Sequence, residues 1–335
     1  MDLTICIVHY KGYFGQDLPT EKSLSIFEIK ERLTSIGYNV IDKCITEIAN
    51  EKVIENNIYV VGSHQNPTVK DFINDVLLIR LKNRQCIPSI ESILAHENKG
   101  IQALFNIEHN INLVEEEYHL IDEDDVVFSG KVNKVTKGSG SSGVFIPKEG
   151  NKYGKELNRI LWKKFDVQDA IDFLKIKLLP FIFKRNHLNI KYYKKYHPIV
   201  TQNKIEGIGY DYKVLIFFDR CFVLKRYTRK NDFRSSGSGN FEFCECDNDL
   251  LDVAYNFRKK ISVPYVSLDI MPDSEGNYNI IEYQVVHFGP YTKKKAKFFY
   301  EKDANYNWNK IDNNSLSIEY ELADALDKYI KLEKC

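Results

Sequence analysis

The chain has 335 residues, enough for two or three modest domains, and its hydrophobic (43%) and charged (28%) fractions are ordinary for a globular protein. Lys plus Arg and Asp plus Glu both number 47, which excludes a global positive field that would recruit nucleic acid or an anionic membrane. The seven cysteines show no repeated C-x-x-C spacing, which favours free thiols in a cytoplasmic protein over a disulfide framework.

The chain opens on an apolar run without a cationic segment before it, MDLTICIVHYKGY, which predicts a β-strand rather than a secretion signal. The most apolar later stretch, FLKIKLLPFIF, is short and interrupted by lysines and a proline, whereas a membrane helix needs roughly 18 apolar residues. We therefore expect no membrane span.

The first hundred residues alternate strand and helix patterns. Strands are predicted for LTICIV, NVI and NNIYVVG, and helices for LSIFEIKERLTSIG, which Gly37 closes, and for TVKDFINDVLLIRLKN. This βαβ spacing predicts a small parallel sheet. No Gly-x-Gly-x-x-Gly follows the first strand, so a dinucleotide fingerprint is missing there.

The middle of the chain contains a Gly/Ser run between two strand patterns. A short helix is predicted near HENKGIQALF, and VVFSGKVNKV and GVFI then flank KGSGSS. Flanking strands pin both ends, which favours a loop within a hairpin over a linker between domains. Residues 154–196 look helical and basic, either as a solvated insert or as a platform for a negatively charged substrate.

From Tyr210 onward strand patterns dominate: YDYKVLIFF, RCFVLKRYT and FEFCEC, with a second Gly/Ser run, DFRSSGSGN, before the last. Cys244 and Cys246 would share a face of that strand, and without visible partners they are ordinary strand positions more than metal ligands. A helix (DLLDVAYNFRKKI), two strands joined by the turn PDSEGN, and a C-terminal helix (SIEYELADALDKYIKLEK) complete the chain.

The last two predicted strands carry oxygen-bearing side chains. Asp269 lies near the end of one, and Glu282 and Gln284 lie two residues apart, hence on one face, of the next. Such a group suits Mg²⁺, which takes one or two carboxylates together with substrate phosphates. An edge strand whose acids face water is the alternative.

The first Gly/Ser run combines lysines with glycines. Lys134 and Lys137 precede or adjoin Gly138, Gly140 and Gly143. Glycine lets backbone N–H groups approach an anion, and lysine supplies charge to phosphate oxygens. The spacing does not match the P-loop pattern G-x-x-x-x-G-K-[ST], so a P-loop NTPase is not predicted.

In order along the chain, about residues 85–330, these segments resemble the ATP-grasp superfamily. HENKG resembles the opening of its central domain, KVTKGSGSSGV the strand lysine and glycine-rich lid, and TQNKIEGIGYDYKVLIF the adenine hinge followed by the Asp-x-Arg-Val strand. RYTRKNDFRSSGSGNF resembles the basic strand and DFR segment of the ribosomal-protein glutamate ligase type. LDIM with IIEYQ resembles the magnesium ligands. DFR-Ser-Gly-Ser-Gly members often belong to surface polysaccharide or peptide-modifying pathways.

The resemblance implies an α/β (α+β) ATP-grasp fold with three parts: an N-terminal parallel α/β domain (1–90), a central subdomain with the lid and the helical insert (91–200), and a C-terminal subdomain with the metal site (201–335). It implies an ATP- and Mg²⁺-dependent ligase that activates a carboxylate as an acyl phosphate and joins it to an amine. The implied ATP-binding residues are Lys99, Lys134, Gly138, Ser139, Gly140, Ser141, Ser142, Gln202, Ile205, Asp211 and Lys213, the metal ligands Asp269, Glu282 and Gln284, and the catalytic residues Arg226 and Arg234.

Two positions depart from the pattern: Gln284 stands where Asn is usual, and Lys213 replaces Arg, keeping charge but losing bidentate geometry. His287 is either a base or substrate-binding residue, or a loop residue that satisfies a hydrogen bond. Two other functions stay open: a phosphotransferase acting on a small molecule or sugar, and a non-catalytic nucleotide-binding protein. The expected partners are small-molecule, sugar or peptide carboxylates and amines, and a homodimer is left open.

Overall fold

A computed structural model gives the fold. It describes residues 3–19, 21–96, 98–111, 113–122, 124–136, 143–161, 196–206, 209–229, 239–286, 288–313 and 316–334. Several predicted features lie outside the described residues: the lid residues Gly138, Ser139, Gly140, Ser141 and Ser142, the catalytic Arg234, His287, and most of the helical insert.

Helices and strands alternate along the first hundred described residues, and strands dominate later. The helices are α1 (Ile26–Ile36), α2 (Ile45–Asn50), α3 (Pro67–Val76), α4 (Ile90–Ala95), α5 (Lys99–Glu108), α6 (Tyr153–Leu161), α7 (Asn248–Lys260), α8 (Tyr291–Lys295) and α9 (Ile318–Tyr329), with π-helical turns at Leu77–Leu81 and Ile330–Lys334. The strands are β1 (Thr4–His9), β2 (Asn39–Cys44), β3 (Ile58–Val61), β4 (Gln85–Ile87), β5 (Glu116–Asp122), β6 (Lys131–Val135), β7 (Val144–Phe145), β8 (Tyr196–Asn203), β9 (Tyr210–Phe217), β10 (Arg220–Tyr227), β11 (Phe241–Glu242), β12 (Tyr265–Pro272), β13 (Tyr278–Gln284), β14 (Phe298–Lys302) and β15 (Trp308–Asp312).

The chain divides into two compact units. The larger unit comprises Met1–His96, Phe105–Leu113 and Ile205–Cys335, and the smaller unit comprises Glu97–Leu104 and Val114–Lys204. The N-terminal segment and the C-terminal third thus belong to one unit. The boundaries predicted near residues 90 and 200 remain a proposal.

The N-terminal part of the larger unit is a parallel sheet in the order β2-β1-β3-β4, which confirms the predicted parallel α/β arrangement. The helix predicted after β1 is α1. The hydroxyl of Ser25 accepts from the Glu28 N–H to begin the helix, and Gly37 ends it with a φ of 111°. That left-handed conformation is one a glycine adopts without steric cost.

The second sheet of the larger unit, here the large sheet, runs β13-β12-β9-β10-β14-β15, with β11 paired to β10. Its apolar residues share one core with those of the N-terminal sheet and α9; members include Ile5, Val60, Phe217, Tyr265 and Leu326. Burial of this common core, at about 25 cal/mol per Å² of apolar surface, holds the two sheets in fixed relation.

The smaller unit is built on an antiparallel sheet in the order β5-β8-β6-β7. β6 and β7 form the hairpin predicted around the first Gly/Ser run, with Lys134 opposite Val144. Residues from β5, β7, β8 and α6, among them Ile121, Phe145 and Leu157, form its core.

The six cysteines among the described residues are free thiols, as the sequence predicts. No helix within those residues is long and apolar enough to cross a membrane.

Candidate active site

The register of the large sheet brings charged residues of four neighbouring strands to one face. Asp211 and Lys213 lie two residues apart on β9, and Arg226 on β10 is directly opposite Asp211. On the other side of β9, Asp269 of β12 is opposite Lys213, and Glu282 of β13 is opposite Asp269. Because side chains at even spacing and at paired positions share a face of a sheet, these groups are gathered on one side.

Salt bridges join four of these side chains into a continuous ion network. Lys213 Nζ donates to Asp269 Oδ1 at 2.9 Å, and Arg226 Nη2 lies 3.0 Å from Asp269 Oδ2. Arg226 also makes a bidentate pair with Asp211, Nε to Oδ1 at 2.7 Å and Nη2 to Oδ2 at 3.0 Å. Two carboxylates and two cations therefore balance each other's charge.

The network is shielded from solvent, with the Asp211 side chain 4% exposed and those of Arg226, Lys213 and Asp269 each 14% exposed. Burial would raise the pKa of Asp269, but the Arg226 guanidinium and the Lys213 ammonium outweigh it and hold that pKa well below its usual range. At Asp211 burial has the larger effect and raises the pKa despite Arg226. Arg226 thus spans two carboxyl groups in different electrostatic environments.

The predicted metal ligands are close to one another on β12 and β13. Carboxylate and amide oxygens suit Mg²⁺, and Asp269 and Glu282 are paired across the strands. However, Lys213 Nζ lies 2.9 Å from Asp269 Oδ1 and 3.4 Å from Gln284 Oε1, so an ammonium already bridges two of the three predicted ligands. The donor types fit Mg²⁺, and binding it through both oxygens would require Lys213 to move aside. Within the described ranges, no group of three or more His, Cys, Asp or Glu side chains is arranged to hold a metal.

In the smaller unit, Lys134 points into a buried polar cluster. Its Nζ lies 3.3 Å from Glu116 Oε1, and the same oxygen accepts from Gln202 Nε2 at 3.1 Å. The side chains of Lys134 and Glu116 are each 8% exposed. Lys134 and Gln202, both predicted to bind ATP, thus donate to the same carboxylate oxygen. Lys99 is also buried, at the start of α5, and its backbone N–H donates to Thr136 O at 3.1 Å.

Glu116 was not predicted from the sequence. It lies on β5, opposite Gln202 of β8, and β8 also pairs with β6, which carries Lys134. The acidic run EEEYHLID was the available signal, but the sequence alone does not reveal which of its carboxylates faces a lysine on a strand two places away.

The predicted adenine hinge coincides with the division between the units. The smaller unit ends at Lys204, the larger unit resumes at Ile205, and Ile205 lies between β8 and β9. Gln202 therefore belongs to the smaller unit, whereas Ile205, Asp211 and Lys213 belong to the larger one.

Solved structures resemble the chain over its whole length. D-cycloserine synthetase DcsG matches 97% of this chain and 99% of its own, with a TM-score of 0.50 and 8% identity. The ATP-grasp ligase PsnB, complexed with a minimal precursor, matches 98% of this chain and 100% of its own (TM-score 0.47, 14% identity). D-alanine–D-alanine ligase from Bacillus anthracis, complexed with ATP, covers 99% of both chains (TM-score 0.46, 11% identity). No protein-family model and no curated protein sequence matches the chain. The chain has the ATP-grasp fold that its ordered motifs predict.

Proposed function

We propose that the protein is an ATP-dependent ligase that activates a carboxylate as an acyl phosphate and joins it to an amine, with release of ADP and phosphate. The observation that carries this proposal is the ion network in which Arg226 and Lys213 are fixed on the large sheet by two carboxylates. Phosphoryl transfer needs aligned positive charge more than covalent help from the protein, and a pre-oriented guanidinium supplies it without reorganisation.

The larger unit would supply the groups that meet the transferred phosphoryl group. Arg226 and Arg234 would stabilise charge on that group and on the acyl phosphate, with Lys213 as a further cation. Asp269, Glu282 and Gln284 would hold Mg²⁺, which when bound would neutralise phosphate charge.

The smaller unit would bind the nucleotide. Lys99 and Lys134 would contact phosphates, and the backbone of Gly138, Ser139, Gly140, Ser141 and Ser142 would cover them. Gln202 and Ile205, both in the segment that resembles the adenine hinge, would contact adenine. Glu116 would orient Lys134 in the absence of ATP, because the two side chains already form a buried pair.

The test is turnover of the purified protein with ATP, Mg²⁺ and a panel of carboxylates and amines, followed by phosphate release and ³¹P NMR. Orthophosphate together with an amide product supports the ligase, whereas a phosphorylated acceptor without an amide identifies a phosphotransferase. Absence of any ATP turnover across the panel contradicts both. A Glu282→Ala variant with full turnover would exclude the proposed metal set.

A matched pair of variants tests the network itself. Arg226→Met should abolish turnover, since it removes the fixed guanidinium. Lys225→Met is the control: Lys225 is adjacent on β10 and is opposite Tyr212, and its Nζ lies 3.8 Å from the centroid of the Tyr210 ring. We expect Lys225→Met to keep turnover near that of the unmodified protein.

A further inference from the structure

The N-terminal parallel sheet has a topological switch point between β1 and β3. In the order β2-β1-β3-β4, the chain leaves β1 toward β2 on one side and continues from β3 toward β4 on the other. In open α/β sheets, ligands bind at the carboxyl ends of the strands where the connections diverge in this way. Residues 10–14 follow β1 and residues 62–66 follow β3, so these two segments form the carboxyl edge at the switch point.

A tight turn after β1 presents two tyrosines at this edge. Tyr10 and Tyr13 exchange backbone hydrogen bonds, with N···O distances of 3.0 and 2.9 Å. Between them, Lys11 and Gly12 have φ values of 48° and 82°, the positive pair of a type I′ turn. The positions of the two tyrosines are therefore fixed by backbone geometry.

The segment after this turn is packed directly against the end of β3. Phe14 O accepts from the Ser63 N–H at 3.0 Å. A Cβ atom on Gly62 would lie 2.3 Å from the same carbonyl oxygen, so only glycine permits this approach. The contact holds the turn beside the residue that follows Ser63.

That residue is His64, whose ring lies against both tyrosines. Its centroid is 4.6 Å from that of Tyr13 and 5.6 Å from that of Tyr10. Its Nδ1 accepts from the Asn66 N–H at 2.9 Å. A ring nitrogen that accepts carries no proton, so the neutral imidazole is protonated at Nε2. Within the described residues, Nε2 makes no hydrogen bond, and it is a donor without an acceptor.

The surroundings of His64 favour an anionic ligand. Burial, and then the charge of Lys70, lower the pKa of His64 below its usual value, so the ring is a neutral Nε2–H donor at pH 7. Lys11 is exposed in the turn after β1, with Nζ 5.5 Å from the Tyr10 ring centroid. Asp71 is near Lys70 and offsets part of its charge. A neutral N–H donor with the positive charge of Lys70 nearby favours a carboxylate over an amine.

The chain that follows the strand with two of the proposed metal ligands packs on a core cluster of the N-terminal sheet. Val286, two residues beyond Gln284, packs on the core cluster that contains Val8 of β1 and Val61 of β3. Tyr10 packs against the same cluster. The residues after β13 and Tyr10 are thus attached to the same core.

We propose that this switch point is a carboxylate-binding site, in which His64 Nε2–H donates to the carboxylate of a small organic acid that lies against Tyr10 and Tyr13. The role of this ligand rests on the proposed ligase function: the carboxylate held by His64 is a non-reacting one, as in an amino acid or a dicarboxylic acid, and a second group of the same molecule enters the reaction.

The experiment is side-chain ¹H–¹⁵N NMR of the full-length protein labelled at histidine, without ATP, titrated with succinate, L-glutamate and benzoate. Succinamide is the neutral match for succinate. We expect a saturable shift of the His64 nitrogen resonances with at least one carboxylate and none with succinamide. The histidine resonances that disappear in the His64→Gln variant are those of His64.

Two variants measure the contribution of the donor. His64→Phe keeps an aromatic ring between the tyrosines and removes Nε2–H, and we expect it to weaken binding of that carboxylate about tenfold or more. His109→Phe is the control: its ring contacts Phe105 and Glu91 at the end of α5, and its loss should leave the affinity unchanged.

The proposal fails if no carboxylate of the panel shifts His64 saturably, if succinamide shifts it equally, or if His64→Phe binds as the unmodified protein does. Because the titration contains no ATP, its outcome is independent of turnover. If the protein binds succinate at His64 but never consumes ATP, the proposed ligase function is refuted and the carboxylate site stands. If it consumes ATP but no carboxylate shifts His64, the site is refuted and the ligase function stands.

Discussion

Replacing Arg226 by Met separates the structural role of the ion network from its chemical role. Arg226 is the bidentate partner of Asp211 and also contacts Asp269. In Arg226→Met, Asp269 keeps its contact with Lys213, 2.9 Å in the unmodified protein, whereas the buried Asp211 carboxylate loses its bidentate partner. Removing one partner of a buried ion pair typically costs about 3–5 kcal/mol, and we expect a loss of that size in the free energy of unfolding.

The double variant Arg226→Met with Asp211→Asn should recover part of this loss. A neutral amide in the same place leaves unsatisfied polar atoms, at about 1–3 kcal/mol, rather than a bare charge. If the guanidinium also acts on the phosphoryl group, the double variant regains stability but not turnover, because nothing replaces the charge of Arg226.

The pH dependence of the single variant follows from Asp211. Burial already raises the pKa of this carboxyl, and loss of Arg226 removes the charge that lowers it. A carboxyl with a raised pKa in the folded state binds more protons there than in the unfolded state, so the free energy of unfolding falls as pH rises from the ordinary carboxyl pKa toward the raised one. The free energy of unfolding of Arg226→Met should therefore be higher at about pH 5 than at pH 7. This difference between the two pH values should be larger in Arg226→Met than in the double variant, which has no carboxyl group at position 211.

Urea unfolding at the two pH values, with phosphate release measured in parallel, checks these expectations. A loss below about 1 kcal/mol in Arg226→Met would mean that the pair is worth no more than an exposed salt bridge. Recovered turnover in the double variant would show that Arg226 acts only by neutralising Asp211. Either result refutes the reasoning above.

Three further substitutions test other parts of the fold and site. Lys134→Met removes a buried charge-assisted donor, and we expect calorimetry with ADP to show a loss of affinity of about tenfold or more. Tyr153→Phe removes the hydroxyl that donates to the buried side-chain Oδ1 of Asn133. Urea unfolding should show a loss of about 1–3 kcal/mol in the free energy of unfolding, and an unchanged midpoint would mean that Asn133 finds another donor. Gly37→Ala places a residue with a Cβ atom at a φ of 111°, which is strained for every residue except glycine. Thermal unfolding should show a loss of about 1 kcal/mol in stability, and no loss would mean that the end of α1 relaxes to another conformation.

The elements that periodicity could predict are those with a buried face. β1 and α1 are examples, since the apolar spacing and the Ser25 and Gly37 caps are all in the local sequence. β15 was missed because four of its five residues are exposed and show no alternation; its pairing with β14 and the turn at Asp303, which accepts from the Asn305 and Asn307 N–H groups, define it instead. The whole of FEFCEC was predicted as a strand, but within it only Phe241–Glu242 forms strand pairs. Phe241 is opposite Arg226 and Glu242 is opposite Lys225.

The candidate site was predictable where it lies on one hairpin and not where it depends on longer-range pairing. The turn between β12 and β13 brings Asp269 opposite Glu282, as their spacing suggested. The sequence does not reveal that Asp211 and Arg226 form a bidentate pair, because their contact depends on the register between β9 and β10. The position of His64 depends on the turn after β1, more than fifty residues away along the chain.

The two departures from the ATP-grasp pattern, Lys213 for Arg and Gln284 for Asn, are in direct contact. Lys213 Nζ lies 3.4 Å from Gln284 Oε1. The extra methylene of Gln brings its oxygen to a point charge at the end of a lysine, whereas the shorter Asn would leave room for the planar guanidinium of Arg. We therefore infer that the two residues are matched to each other.

This inference predicts non-additivity. Gln284→Asn alone should withdraw the acceptor from the ammonium, and Lys213→Arg alone should crowd the amide, so each lowers the free energy of unfolding. The double variant should lose less than the sum by about 0.5–2 kcal/mol, the coupling usual for residues in contact. Urea unfolding of the four proteins measures the cycle, and phosphate release shows whether turnover follows the same pattern. Additive losses would mean that the contact is incidental and that the two replacements have independent causes.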